Sequence, residues 1–407
     1  MRSQSASLAV ELPFIAQMPW HHRRLAEHLA RLECGSLQVQ LGEFAPFTLR
    51  GSDPGPAASI LVRRPGAILR RLFWRGDLGF AEAFMAGEWD SPNPAKLLEL
   101  FARNRAALAA SGSRHGIAQM LVGARHWLNR NTRRGSRRNI AAHYDLGNDF
   151  YAQWLDPSMT YSAAVFEPGD ALVEAQQRKY RRMLNLINPA PGAHILEIGC
   201  GWGGFAEHAA RLGYRVTGIT LSAEQLAYAR ERIARAGLQD RVSLELRDYR
   251  DLDGEFDHIV SIEMFEAVGQ AYWPGYFETL HARLRPGGRA ALQVITIDEA
   301  RFDAYATNPG GFIQTYIFPG GMLPTKRRLR DLAADSGLSV GGEMAFGEDY
   351  ADTLARWHCS FGRRTDWLEQ HGYDARFRRM WRYYLAFCEA GFRAGQIDVV
   401  QTVLHRP

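Results

Sequence analysis

Only four cysteines, Cys34, Cys200, Cys359 and Cys388, occur in 407 residues, and no two stand at the C-x-x-C spacing of a zinc or redox motif. No metal centre is expected, and the thiols read as free groups in a reducing compartment. Long apolar runs are also missing: nothing approaches the roughly 20 residues that cross a bilayer. The N-terminal MRSQSASLAVELPF has no apolar core of a secretion signal, so a cytoplasmic protein is expected. Neither sign of charge dominates, with 49 Lys and Arg against 44 Asp and Glu. A content of 46% hydrophobic and 23% charged residues excludes wholesale disorder and leaves room for two domains with cores of their own.

Against these absences one segment stands out. Residues 194 to 205, HILEIGCGWGGF, run from an apolar strand through Glu197 into glycines at Gly199, Gly201, Gly203 and Gly204. Glycine at such spacing lets the backbone turn sharply and lets a ligand lie against bare peptide. Nicotinamide, flavin and adenosylmethionine proteins share this turn. The dinucleotide fingerprint adds an Asp or Glu about 20 residues on, for the ribose hydroxyls. Here RVTGITLS, residues 215 to 222, ends without an acid; Thr220, Ser222 and Gln225 stand where the ribose should arrive. Glu197 beside the turn suits a hydrogen-bonded or cationic sulfonium ligand, which favours S-adenosylmethionine.

Strand and helix then alternate. HILEIG, RVTGIT, VSLEL, FDHIVSI and ALQVIT read as strands, with helices around 204–211, 223–236 and 272–285 and a stopping turn at LRPGGR, residues 284 to 289. This predicts an α/β, Rossmann-like doubly wound sheet with its ligand crevice at the carboxyl ends of the strands. Asp248, after the third strand, is a candidate acceptor for the adenine amino group and Tyr249 a flat neighbour for the ring. SIEMFEAVG, after the fourth, sets Glu263 and Glu266 three apart; on one helical turn both carboxylates would share a face, and two such groups cannot both ionise cheaply.

Before this region, LQVQLGEFAPFTLRG and ASILVRR alternate as strands, and residues 65 to 104 read as helices broken by Gly76 and Pro92. This is a small α+β N-terminal domain, 1–124, whose aromatics Phe73, Trp74, Phe80, Phe84 and Trp89 read as core; it is a candidate for substrate or membrane contact. A linker, 125–138, carries six arginines in RHWLNRNTRRGSRR. No nucleic-acid motif accompanies it, so an anionic membrane surface fits it better than nucleic acid, with a solvated linker as the plain alternative. Residues 139–407 form the catalytic domain.

Five ordered segments, AAHYDLGNDFYAQWLDPSMTYSAAVF (141–166), ILEIGCGWGG, GITLSAEQ, SIEMFEAVG and YIFPGGMLP (316–324), together resemble the cyclopropane-fatty-acyl-phospholipid synthase family, class I S-adenosylmethionine-dependent methyltransferases. The likeness covers about residues 139 to 390. It implies S-adenosylmethionine as cofactor and the acyl chains of membrane phospholipids as substrate, approached from the inner face of the membrane; a homodimer stays open. Tyr161 and Ser162 match family residues that contact the cofactor, Gly199 and Gly201 match its glycine turn, and Thr220 and Gln225 replace the usual ribose-binding acid. The family removes the final proton with a bound bicarbonate held by Cys, Glu, His, a backbone group beside Ile, and Tyr. This chain keeps Glu266, Ile295 and Tyr350 but has Ala163 for the Cys and Gln293 for the His, and adds Glu263 where short members have Gly. A carboxylate there should repel bicarbonate and favour a cation. The resemblance therefore implies cyclopropane formation, with a methyl- or methylene-branched product as the alternative.

Overall fold

The computed structural model describes residues 14–109, 146–307 and 310–407. The basic run 125–138 and the start of the 141–166 segment lie outside the described residues. The chain divides into two compact units.

The first unit holds described residues 14–109, 310–312 and 362–394. Its sheet has four strands, β1 (Cys34–Leu41), β2 (Phe47–Arg50), β3 (Asp53–Val62) and β4 (Trp89–Asp90), in the order β2-β1-β3-β4. Alternating Leu37, Val39 and Leu41 bury one face of β1, as its sequence predicts. The helix Pro65–Met85 is interrupted at Gly76, which sits at φ 52°, ψ −133°; its absent Cβ lets the chain take that turn. Phe80, Phe84 and Trp89 pack as expected, Phe80 stacked on Trp89 at 4.4 Å. Phe73 and Trp74 do not: they are 54% and 59% exposed.

Residues 362–394, expected within the catalytic domain, fall in this first unit instead. The reason is local. On the helix Ala375–Arg393, the Arg379 guanidinium lies over the Phe84 ring at 4.1 Å, donates to the Phe84 and Trp89 carbonyls, and pairs with Asp90 at 3.0 Å. Tyr383 adds a ring contact to Phe84 at 5.6 Å. An arginine shared by so many partners anchors its helix to them.

The second unit is built on seven strands: β5 (His194–Ile198), β6 (Arg215–Thr220), β7 (Val242–Leu246), β8 (Phe256–Ile262), β9 (Leu284–Ile297), β10 (Ser339–Ala345) and β11 (Ile397–His405). Their order is β10-β11-β9-β8-β5-β6-β7. Five pair in parallel, and β11 and β10 close the sheet antiparallel. The chain runs outward from β5 to β6 and β7, then returns to β8 on the other side, so the switch point lies between β5 and β8. Apolar residues fill both faces, around Phe265, Tyr276 and Leu280 on one and Phe205, Ala229 and Ile195 on the other, as a covered parallel sheet requires. The doubly wound expectation holds. LRPGGR, however, is no free turn: the helix Trp273–Arg283 ends and β9 begins at once, because Gly287 and Gly288 exchange backbone hydrogen bonds with Arg406.

Candidate active site

The glycine turn leaves β5 at the switch point. Gly199 has φ 87°, and a Cβ there would meet the Met264 side chain at 2.8 Å, so the position must stay bare. Gly201 has φ 50° with nothing within 4 Å of where its Cβ would stand, which leaves open space against the backbone. Glu197, 3% exposed, keeps its Oε2 without a partner, and burial pushes its carboxyl up to about 8. An orphaned buried acceptor beside a bare glycine turn fits a ligand of mixed polarity such as an adenosyl cofactor. Ser222 caps the helix Ala223–Arg235 by accepting from the Gln225 N–H, and the Thr220 hydroxyl donates to Gln225 Oε1 at 3.2 Å. The three residues singled out for the ribose thus cluster at the end of β6.

Asp248 and Tyr249, singled out for the adenine, are both engaged within the protein. The Asp248 carboxylate is held by Arg250 through Nε at 2.8 Å and a terminal nitrogen at 2.6 Å. Tyr249 is buried edge-on against Tyr276, at 5.2 Å, inside the core; its ring serves packing rather than standing free beside a base.

The expected helical turn through Glu263 and Glu266 also gives way to another arrangement. Glu263 directly follows β8 in the left-handed region, φ 50°, and the short 3-10 turn starts only at Phe265. Its carboxylate gathers donors from three directions. Oε1 accepts from the Ala163 N–H at 2.8 Å and from Gln293 Nε2 at 2.7 Å; Oε2 accepts from the Tyr350 hydroxyl at 2.7 Å. Gln293 is held in turn by Gln401 Nε2 at 2.8 Å, across the β9–β11 pair. Glu266 Oε1 accepts from the Ile295 N–H, and its Oε2 has no partner. Both residues are half-buried, and the dense protein around their carboxyls raises both, Glu266 to about 8 through burial and then the Glu263 charge. Glu263 has more hydrogen-bond donors, so the ionised form settles there and Glu266 holds the proton near neutral pH.

Two groups escaped the sequence reading. Lys179, wholly buried on the helix Leu172–Ile187, donates to Ser162 Oγ at 2.6 Å, and Gln176 donates to the Ser162 carbonyl. Burial pulls the Lys179 ammonium down to about 7 against the opposing pull of Glu263, Asp156 and Glu197. The signal was its spacing: Ala175, Lys179 and Met183 share the apolar stripe of that helix. The second is an aromatic wall, Trp357 lying 5.4 Å from Tyr161, 5.8 Å from Trp154 and 6.2 Å from Tyr350. Trp357 follows Tyr350 by seven residues on the buried face of the helix Gly347–Gly362.

The model of the mycolic acid cyclopropane synthetase family matches residues 131–402. The chain belongs to that family. It is 39% identical, over 99% of its length and 98% of the relative's, to tuberculostearic acid methyltransferase UfaA1 of Mycobacterium tuberculosis. It is 35% identical to the cyclopropane-fatty-acyl-phospholipid synthase of Escherichia coli, over 89% of this chain and 91% of that one. Among solved structures, mycolic acid cyclopropane synthase CmaA1 complexed with SAH and CTAB superposes with a TM-score of 0.62 at 30% identity, covering 66% of this chain and 98% of the other. The protein is an S-adenosylmethionine-dependent methyltransferase, and S-adenosylmethionine is its cofactor. Gly199 and Gly201 leave bare backbone where β5 ends, near the Glu197 carboxyl and the Thr220–Gln225 pair at the end of β6. Among the described residues no helix is long and apolar enough to cross a membrane.

Proposed function

We propose that this enzyme methylates the cis double bond of an unsaturated phospholipid acyl chain and releases a methylene-branched chain without closing a ring. The observation that carries the reading is the Glu263 carboxylate, which takes the hydrogen bonds of Ala163, Gln293 and Tyr350. These are the positions at which the family resemblance lodges bicarbonate, so the chain supplies its own carboxylate in place of that ion. The cofactor contributes an electrophilic methyl group. An alkene needs no activating base, only alignment, and its attack leaves a positive charge on the adjacent chain carbon. Glu263, anionic and fixed, and the rings of Tyr161, Tyr350 and Trp357 stabilise that charge. The three hydrogen bonds fix the Glu263 carboxylate in place and occupy both its oxygens, so it takes up a proton only after one of them gives way. The cation therefore lives long enough for a hydride to shift from the methylated carbon, which becomes the more substituted cation. Loss of a proton from the new methyl group to Glu263 then gives the methylene. A saturated methyl branch would require a further hydride and proton from a separate reductase.

The 39% identity to a tuberculostearic acid methyltransferase supports a branched product, and the 35% identity to a cyclopropane synthase supports the ring. The purified enzyme, incubated with S-adenosylmethionine and vesicles of unsaturated phospholipid, distinguishes them through mass spectrometry after ozonolysis. A methylene branch is cleaved to a ketone, as expected here; a product that gains one CH2 and resists ozone is a cyclopropane and overturns the reading.

A further inference from the structure

The first unit exposes an aromatic pair that its own core does not use. Arg70, Phe73 and Trp74 stand at i, i+3 and i+4 on the helix Pro65–Met85, so they share one face. Phe73 and Trp74 meet edge to face at 5.2 Å, 54% and 59% exposed. Arg70 is exposed and has no ion pair among the described residues, and Arg64 at the start of the same helix is exposed as well. The face continues toward Trp20, 64% exposed at the start of the helix Trp20–Leu29: a Cβ built on Gly66 would meet the ring of neighbouring His21 at 3.8 Å. Phe80 and Phe84, one helical turn and more beyond the Gly76 interruption, are packed against Trp89. The break at Gly76 thus separates a core-facing half of the helix from a half that shows large rings to solvent.

We infer that this face, Arg70 with Phe73 and Trp74, docks the enzyme on an anionic phospholipid bilayer. Indole and phenyl rings partition into the headgroup boundary, where Trp keeps its N–H hydrated. Free guanidinium groups beside them meet lipid phosphates, each cation near an anionic leaflet contributing attraction. The inference rests on the proposed lipid substrate, whose acyl chain must be taken from a bilayer. It also assigns the contact to residues far in sequence from the arginine run 125–138, and by a different physics: ring insertion persists in salt that screens headgroup attraction.

The test uses the full chain and sedimentation with vesicles of saturated phosphatidylcholine and phosphatidylglycerol, which offer no double bond to react with. In salt high enough to screen surface charge, Phe73→Ser with Trp74→Ser should weaken vesicle binding by about tenfold or more. Leu212→Ser, removing an equally exposed residue (58%) of the second unit, should leave it unchanged, and S-adenosylmethionine affinity by calorimetry should be parental in both. Vesicle binding by the double variant within about twofold of parental overturns the inference, as does a parental chain that binds no vesicles. A parental dimer that the double variant splits, with vesicle binding kept, would make the face a contact between two copies and overturn it too. Binding that depends on Phe73 and Trp74 in an enzyme that makes no lipid product would instead remove the proposed reaction and leave the docking face standing.

Discussion

Replacing Glu263 with glycine should turn this enzyme into one that needs bicarbonate. The backbone at 263 already lies at φ 50°, a conformation that costs a residue with a Cβ about 1–2 kcal/mol and glycine almost nothing. Against that gain, the Tyr350 hydroxyl and Ala163 N–H lose their acceptor, while Gln293 Nε2 keeps the Ala163 carbonyl at 3.2 Å. Each lost partner costs about 1–3 kcal/mol if the space stays dry and less once water enters. Stability should therefore stay within about 2 kcal/mol of parental, a difference that urea unfolding resolves. Turnover is another matter. Removal of a positioned base should lower kcat by about 10²-fold or more in carbonate-free buffer. Added bicarbonate, planar and anionic like the missing carboxylate, should restore a large part of it by accepting from the same donors. Methyl transfer from labelled S-adenosylmethionine reads both arms. Parental turnover by Glu263→Gly without bicarbonate would refute the reasoning, since no carboxylate would then be needed at that point.

Glu266→Gln should keep turnover within about threefold below pH 8, because burial already holds Glu266 protonated there and an amide replaces a neutral acid; a loss near 10²-fold in that range would make Glu266 the ionised partner instead. Lys179→Met removes a buried cation whose attraction favours the charged form of Glu263, so the Glu263 carboxyl rises further and the acidic limb of the kcat profile moves to higher pH. A limb that stays in place would reduce Lys179 to packing. Gly201→Val should abolish S-adenosylmethionine binding in calorimetry, since a branched side chain at φ 50° is strained and enters the open space against the turn. Arg379→Ala should lower stability by about 2 kcal/mol in urea, because the Phe84 and Trp89 carbonyls and Asp90 lose a shared donor.

The sequence by itself determined the parts that obey local rules. Periodicity located β5 to β9 and the helices between them, and glycine spacing located the positive-φ turn after β5, because side-chain alternation and positive φ are properties of a short stretch of chain. The lack of an acid after β6 and the presence of Thr220, Ser222 and Gln225 were equally legible, and these residues do gather at the strand end. What only the tertiary structure decided depends on partners distant along the chain. Glu263 takes its donors from Ala163, Gln293 and Tyr350, up to 100 residues away, and no spacing in the SIEMFEAVG segment could show that its two carboxyls part instead of sharing a helical face. Arg379 carries the helix Ala375–Arg393 to the first unit through Asp90, 289 residues earlier. Phe73 and Trp74 have the composition of a core, yet on the half of their helix before the interruption at Gly76 they lie exposed, while Phe80 and Phe84 beyond it pack on Trp89. Composition says that a ring prefers burial; the path of the backbone decides whether anything is there to bury it.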